Sequence, residues 1–283
     1  MLLSLEVEEL ASVEPSVEDL ISGAPEATLK AIRDSSEPSS RGTAKAGLLK
    51  ESFAVFRAVA EGLPVADVRA GILDGRLFQK TSVATRQSIW MALRHRYFSI
   101  DPFVSRSLAV ACLSGCDSVE FRSLAYLYWA VRDRVVFEFV TGPIWQHWQS
   151  GLVSVRREDF LSFIDRLSEA NPNVKHWRES TRIHLCQNVL TALRDFGLLK
   201  GIHRKTIQQP GVALETLFHL LTLLWAEGTR GTAIIAAPDW RLLLLSEAQV
   251  AEYLAQMARN GWIRFERSGR VVILEMRRTL ETR

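Results

Sequence analysis

SEAQVAEYLAQMARNGWIRFERSGRVVILEMR, residues Ser246–Arg277, is the stretch that decides the fold. Ser246-Glu247-Ala248-Gln249 has the form of a capping box: a serine oxygen takes a backbone N–H, and the glutamine three positions on reaches back. Val250, Tyr253, Leu254 and Met257 then recur at helical spacing, and Asn260-Gly261 supplies a left-handed stop. Two β-rich runs, Trp262–Arg267 and Arg270–Arg277, flank Ser268-Gly269, a dipeptide suited to a hairpin turn. A helix followed by a two-stranded ribbon is the sequence form of a winged helix. The ribbon carries Arg264, Arg267 and Arg270. In such units a helix enters the major groove and a basic wing meets phosphates, although the same form also serves protein contacts.

The same order recurs upstream. Ser180 is positioned to cap a helix over Thr181–Phe196, Gly197 sits at its expected end, and Leu198–Gln209 is extended with Lys200-Gly201 available for a tight turn. Arg178, Thr181, Arg182 and Gln187 offer groups for phosphates or base edges, and Arg204 and Lys205 follow in the second wing. A solvated helix face is the competing reading. A third place has helix-turn-helix spacing: a short helix near 64–74, then a helix capped by Ser82 and running to about Tyr97. Lys80, Thr81, Ser82, Thr85 and Arg86 stand at the start of that second helix, where free N–H groups attract phosphate.

The rest of the chain reads mainly as helix. Apolar faces predict helices over Ser105–Ser114, over Glu120 to about Val140, over Ile144–Ser150 after a break at Gly142-Pro143, and over Arg157–Ala170. Asn171-Pro172-Asn173 reads as a turn, and Arg241–Leu245 fits either a strand or a helix. The fold class expected is mainly α with small β wings. Three segments follow: 1–42 as an acidic flexible extension with a weak helix over Leu5–Ile21, 43–170 as a helical domain with the helix-turn-helix-like unit, and 171–283 as a winged-helix-containing C-terminal domain.

Charge is unevenly placed. Residues 1–45 hold nine Asp and Glu against four Lys and Arg, so the remaining 31 bases and 23 acids leave a basic body. Such a body favours polyanions. Three cysteines, Cys112, Cys116 and Cys186, form no disulfide framework, and the start MLLSLEVEEL lacks a basic leader, so a reducing, cytoplasmic setting is expected. Cys112 and Cys116 fit one helical face but lack histidine partners for a metal. Leu214–Ala226 is apolar yet far short of the roughly 20 residues that cross a bilayer, so a buried core helix is expected and no membrane insertion. Phosphate-loop, dinucleotide, zinc-protease and serine-hydrolase signatures are missing, which argues against an enzyme and against any cofactor or metal.

Ala44–Ser52 (AKAGLLKES), Leu77–Arg86 (LFQKTSVATR), and Trp177–Arg182 (WRESTR) with Leu193–Leu199 (LRDFGLL) resemble the BrxA family, the A-component of BREX bacteriophage-exclusion systems. The resemblance covers roughly residues 43–210. It implies a NusB-like helical part with winged-helix features, binding to double-stranded DNA, and a role in phage defence beside other BREX components. It carries over no catalytic residues. The expected function is therefore duplex DNA binding, mainly through phosphates, with two alternatives: a scaffold that assembles defence components, or an RNA-binding NusB-like factor.

Overall fold

Three-and-four spacing of apolar residues folds the first half of the chain into helices, each ending where a cap or glycine intervenes. The computed structural model describes residues 32–33, 38–40, 45–78, 82–99, 102–269 and 271–280. Helices α1 (Leu49–Ala60), α2 (Val65–Leu73) and α3 (Val83–Leu93) come first, and α3 widens into a π turn over Arg94–Phe98. Next are α4 (Pro102–Cys112), α5 (Val119–Arg132) and α6 (Arg134–Phe139). A second π turn, Val140–Ile144, leads into α7 (Trp145–Gln149).

Helix α5 is the axis of this bundle: ten of its 14 residues are buried. Tyr126, Tyr128 and Trp129 are 1% exposed or less. An aromatic buried this fully removes 150–250 Å² from water, at most about 4–6 kcal/mol each. Tyr126 donates its hydroxyl proton to the Leu242 carbonyl at 2.8 Å, fastening the bundle to the C-terminal part.

Two wing-bearing groups follow. In the first, strand β1 (Ser154–Val155) precedes α8 (Arg157–Ala170), α9 (Pro172–Lys175) and α10 (Glu179–Asp195), then strands β2 (Leu199–Lys200) and β3 (Lys205–Ile207). The antiparallel order is β1-β3-β2, with Ser154 opposite Thr206 and Leu199 opposite Ile207. The expected division between 170 and 171 falls inside this group, because β1 pairs with β3. In the second, α11 (Leu214–Ala226), α12 (Thr232–Ala236), a 3-10 turn (Pro238–Leu243) and α13 (Glu247–Arg259) precede β4 (Ile263–Ser268) and β5 (Val271–Met276). One hydrophobic core joins all of these, from Ile32 to Leu274.

The mainly helical reading with small wings holds, and α11 is the buried core helix expected over Leu214–Ala226. Several local expectations are corrected. The helix expected through Val140 breaks at Asp133, whose carboxylate accepts from Val136 N at 3.2 Å and starts α6. Gly142-Pro143 does not stop the chain's helical course, because the wide π turn accommodates a proline ring that an α turn would clash with. Ser180 is not a cap: α10 begins at Glu179, an acid well placed against the helix dipole, and Arg178 holds the N-cap position. Asn171-Pro172-Asn173 is the start of α9, with proline at its favoured first position. Cys116 lies in the turn after α4 ends at Cys112, so the two thiols do not share a helical face.

Residues 241–243 are 3-10 helix. Ser268 pairs with Val271 and so belongs to β4 rather than to the hairpin turn expected at Ser268-Gly269. The weak helix over Leu5–Ile21 lies outside the described residues. The packed body includes residues before 43: Ile32 is fully buried, and Arg33 stacks 4.7 Å over Phe137 and pairs with the buried Asp239. An aliphatic side chain and a cation with a buried carboxylate to meet hold this segment down.

Candidate nucleic-acid interface

The first wing is built by two glycines. Gly197, at φ +88°, ends α10 and sends Leu198 back so that its N–H reaches Leu193 O at 2.8 Å. Gly201, at φ +96°, makes the wing turn, where a Cβ would stand 2.1 Å from the Arg204 carbonyl oxygen. The turn thus requires glycine, and it folds His203, Arg204 and Lys205 back toward α10. Lys205 Nζ donates to the Ile202 carbonyl at 2.8 Å, which orients its ammonium.

Between this wing, the exposed face of α10 and the start of α8 lies a cleft of about 550 Å³. Arg156, Arg157, Arg204 and Lys205 line it together with His203, against one carboxylate, Glu158. Gln187 and Thr191, one turn apart on α10, supply neutral donors and acceptors on its wall. Cys186 adds no charge, since burial pushes its thiol up to about 11. The arrangement is a concave, cationic surface whose planar guanidinium groups suit phosphate oxygens.

Of the residues expected in this unit, Gln187, Arg204 and Lys205 come together in the cleft. Arg178 is exposed and Thr181 half-buried at the N-terminal end of α10, about 10 Å or more along the axis from Gln187. Arg182 is engaged with Asp165 on α8 at 2.9 Å and braces the two helices. The sequence reading missed Arg156, Arg157 and Thr191. The alternation Val153-Ser154-Val155 before the basic pair was the available signal, but a two-residue strand is invisible without its partner near residue 205.

The second wing is differently charged. Arg264 stands directly opposite Glu275 and reaches it at 3.4 Å, and it meets Glu266 at 2.9 Å. Both carboxylates raise the Arg264 pKa, the hydrogen bond to Glu266 most of all. Arg267 is exposed, opposite Val272, and Arg270 lies outside the described residues. On α13 the exposed face presents Glu247 and Glu252 ahead of Arg259. Residues 154–207 hold ten Lys and Arg against six Asp and Glu, whereas 214–280 hold eight against seven.

At the third place, Ser82 caps α3 by accepting from Thr85 N at 3.1 Å, and the two hydroxyls share a 2.8 Å hydrogen bond. Arg86 donates from Nε to the Leu73 carbonyl at 2.9 Å, closing the end of α2. Lys80 and Thr81 lie outside the described residues. The nearby basic cluster Arg94-His95-Arg96 is also not what its sequence suggests. Arg96 is fully buried, gives hydrogen bonds to the carbonyls of Lys45 (2.7 Å), Ala46 (3.0 Å) and Gly47 (3.1 Å), and faces Trp129 at 5.1 Å.

A smaller cavity of about 210 Å³ lies between α4, α5, α11 and the C-terminal segment. Glu120, Glu215, His219 and Arg278 contribute to it. Burial first, and then Arg278, push the His219 imidazolium down to about 3, so the ring is neutral and shares a 2.9 Å hydrogen bond with Tyr128. Among the described residues there is no group of three or more His, Cys, Asp or Glu placed to hold a metal ion, and no helix long and apolar enough to cross a membrane.

The BrxA family model matches residues 39–222. The match takes in the bundle and the first wing and stops within α11, before the second wing. Among solved structures, an uncharacterized protein from Magnetospirillum magneticum is similar at 14% identity and a TM-score of 0.56, with 74% of this chain and 100% of that one covered. That likeness concerns the fold. No curated protein matches this chain.

Proposed function

Because the chain belongs to the BrxA family, the A-component of BREX bacteriophage-exclusion systems, we propose that it serves its system by holding duplex DNA, in the cytoplasm and without enzymatic activity. The observation that carries this reading is the cleft between α10 and the β2–β3 wing, where Arg156, Arg157, Arg204 and Lys205 face one carboxylate. A major groove about 12 Å wide admits a helix such as α10, and the wing then meets the flanking phosphates. Gln187 and Thr191 are the side chains placed for base edges, so most of the affinity comes from phosphates and sequence preference is weak.

Four phosphate contacts give a salt slope near −3.6, or about a 100-fold loss of affinity between 50 and 200 mM salt. Titration of labelled duplex at those two concentrations tests the reading. No binding at micromolar protein and low salt overturns it, as does a salt-insensitive affinity.

A second reading applies to the second wing, whose Arg264 is paired with Glu266 and Glu275 while Val271 and Ile273 are 62% and 41% exposed on β5. That surface suits contact with another BREX component better than contact with phosphate. Val271→Ser with Ile273→Ser removes partner capture and leaves duplex affinity unchanged; the reverse pattern assigns this wing to DNA.

A further inference from the structure

Residues 1–31 carry seven Asp and Glu (Glu6, Glu8, Glu9, Glu14, Glu18, Asp19 and Glu26) against one Lys. We propose that this acidic segment occupies the basic cleft between α10 and the first wing and competes there with nucleic acid. The inference rests on the reading of that cleft as a phosphate-binding surface, and it names an occupant from within the chain.

Three observations converge on it. The first is charge: the cleft gathers Arg156, Arg157, Arg204 and Lys205 around a single carboxylate. Outside this cleft, three of the expected cations are engaged, Arg182 with Asp165, Arg264 with Glu266 and Glu275, and Arg86 with a helix end, while Arg178 and Arg267 stand exposed and apart from one another. The second is the chain that adjoins the lining residues Ser154 and His203. Ile202 at the wing turn is 69% exposed, and Leu152 and Val153, just before β1, are 52% and 46% exposed. Phosphates have no use for exposed aliphatic side chains beside arginines. A peptide that alternates acids with Leu5, Val7, Leu10, Val13 and Val17 matches both kinds of surface.

The third observation is the point of departure. The Ile32 carbonyl accepts from Arg132 at 3.2 Å, and Arg33 is paired with Asp239, so the residues to which the segment is joined are held at a fixed place. From there the chain reaches α9 of the first wing group, where Asn173 Nδ2 donates to the Pro38 carbonyl at 2.8 Å. Helix α10, which begins after α9, is about 25 Å long. Thirty-one residues span up to about 100 Å when extended, so the cleft is well within reach. Tethering gives such a segment an effective concentration on the order of 1 mM, so an intrinsic affinity of roughly 0.1–0.5 mM is enough to lower apparent DNA affinity about three- to tenfold.

Two measurements on the full chain test this. Zero-length carbodiimide coupling joins carboxylates to neighbouring amines, and the wing holds Lys200 and Lys205 while Lys50 and Lys175 lie elsewhere. Peptide mapping is expected to find links from residues 1–31 concentrated on Lys205 and Lys200 at low salt, and lost when duplex is added. Absent links, or links spread equally over Lys50 and Lys175, overturn the proposal. The second measurement neutralises the segment with Glu6→Gln, Glu8→Gln, Glu9→Gln, Glu14→Gln, Glu18→Gln, Asp19→Asn and Glu26→Gln. Duplex affinity at 50 mM salt is expected to rise about three- to tenfold, with the difference closing at 300 mM. Equal affinities overturn the competition. If neither protein binds duplex, the phosphate reading fails, and the coupling map still decides where the acidic segment sits.

Discussion

The two wings share one local grammar and differ in what they show to solvent. Each has a helix, a glycine past its end (Gly197 at φ +88°, Gly261 at φ +75°) and a two-stranded ribbon. In the first, the cations at the start of α8 and at the ribbon's turn converge on one cleft. In the second, the ribbon's Arg264 is spent on Glu266 and Glu275, and α13 leads with two exposed glutamates. The shared form follows from backbone chemistry; the surface follows from which charges the register sets side by side. A wing is therefore weak evidence for DNA contact until its cross-strand neighbours are known.

The sharpest way to break this comparison is to remove cations from each wing in turn. Replacing Arg156, Arg157, Arg204 and Lys205 with alanine is expected to lower duplex affinity at 100 mM salt by about 100-fold or more and to flatten the salt slope by three to four units. Arg264→Ala is expected to change it less than about threefold, because a cation already paired with Glu266 and Glu275 releases few counterions. Fluorescence anisotropy on both variants checks this. Equal losses would erase the distinction between the wings.

Much of the fold was legible because its signals are local. The Ser246–Gln249 box forms as written, with Gln249 Oε1 accepting from Ser246 N at 2.9 Å, and both helix-ending glycines stand where expected. What could not be read depends on distant partners. Strand β1 exists through β3, about fifty positions away. Arg182 is drawn to Asp165, and Arg96 to three carbonyls of residues 45–47, across elements with no local sign of contact. The hairpin is an intermediate case. A turn at Ser268-Gly269 would set Arg264 opposite Ile273, with Glu266 on its own strand as its carboxylate neighbour, whereas the observed pairing of Ser268 with Val271 sets it opposite Glu275 as well. The register thus decides whether Arg264 has one carboxylate neighbour or two.

The wing turns themselves offer the next test. Gly201→Ala brings a methyl against the Arg204 carbonyl as well as an unfavourable φ, so a loss of about 2–3 kcal/mol is expected along with distortion of the cleft. Gly269→Ala, at φ +56° with nothing within 4 Å of its Cβ, is expected to lose only about 1 kcal/mol. Urea denaturation of both, read beside duplex affinity, checks the pair. Affinity should fall for the first and hold for the second.

Acid should act on the second group through His219. Its folded-state pKa is about 3, below the ordinary value near 6.5, so the unfolded chain binds the extra proton first. The stability from the neutral ring is complete above about pH 6.5 and is lost as pH falls toward 3, at up to about 1.4 kcal/mol per unit. Unfolding free energies measured from pH 7 to pH 5 should show that slope, and His219→Gln should remove most of it.

The smallest effect concerns how the two wing helices begin. Helix α13 has its capping box, so Ser246→Ala should lose about 1 kcal/mol. Helix α10 begins behind Arg178, whose guanidinium has no acceptor for the orphan N–H groups. Arg178→Asn should therefore stabilise the protein by several tenths of a kcal/mol or more in thermal unfolding. It also removes an exposed cation at the end of α10 away from the cleft. If the DNA surface is the cleft, affinity at 100 mM salt changes by less than about threefold, the effect of one distant charge under screening. A larger loss would extend the interface along the whole of α10, and would return Arg178 and Thr181 to it.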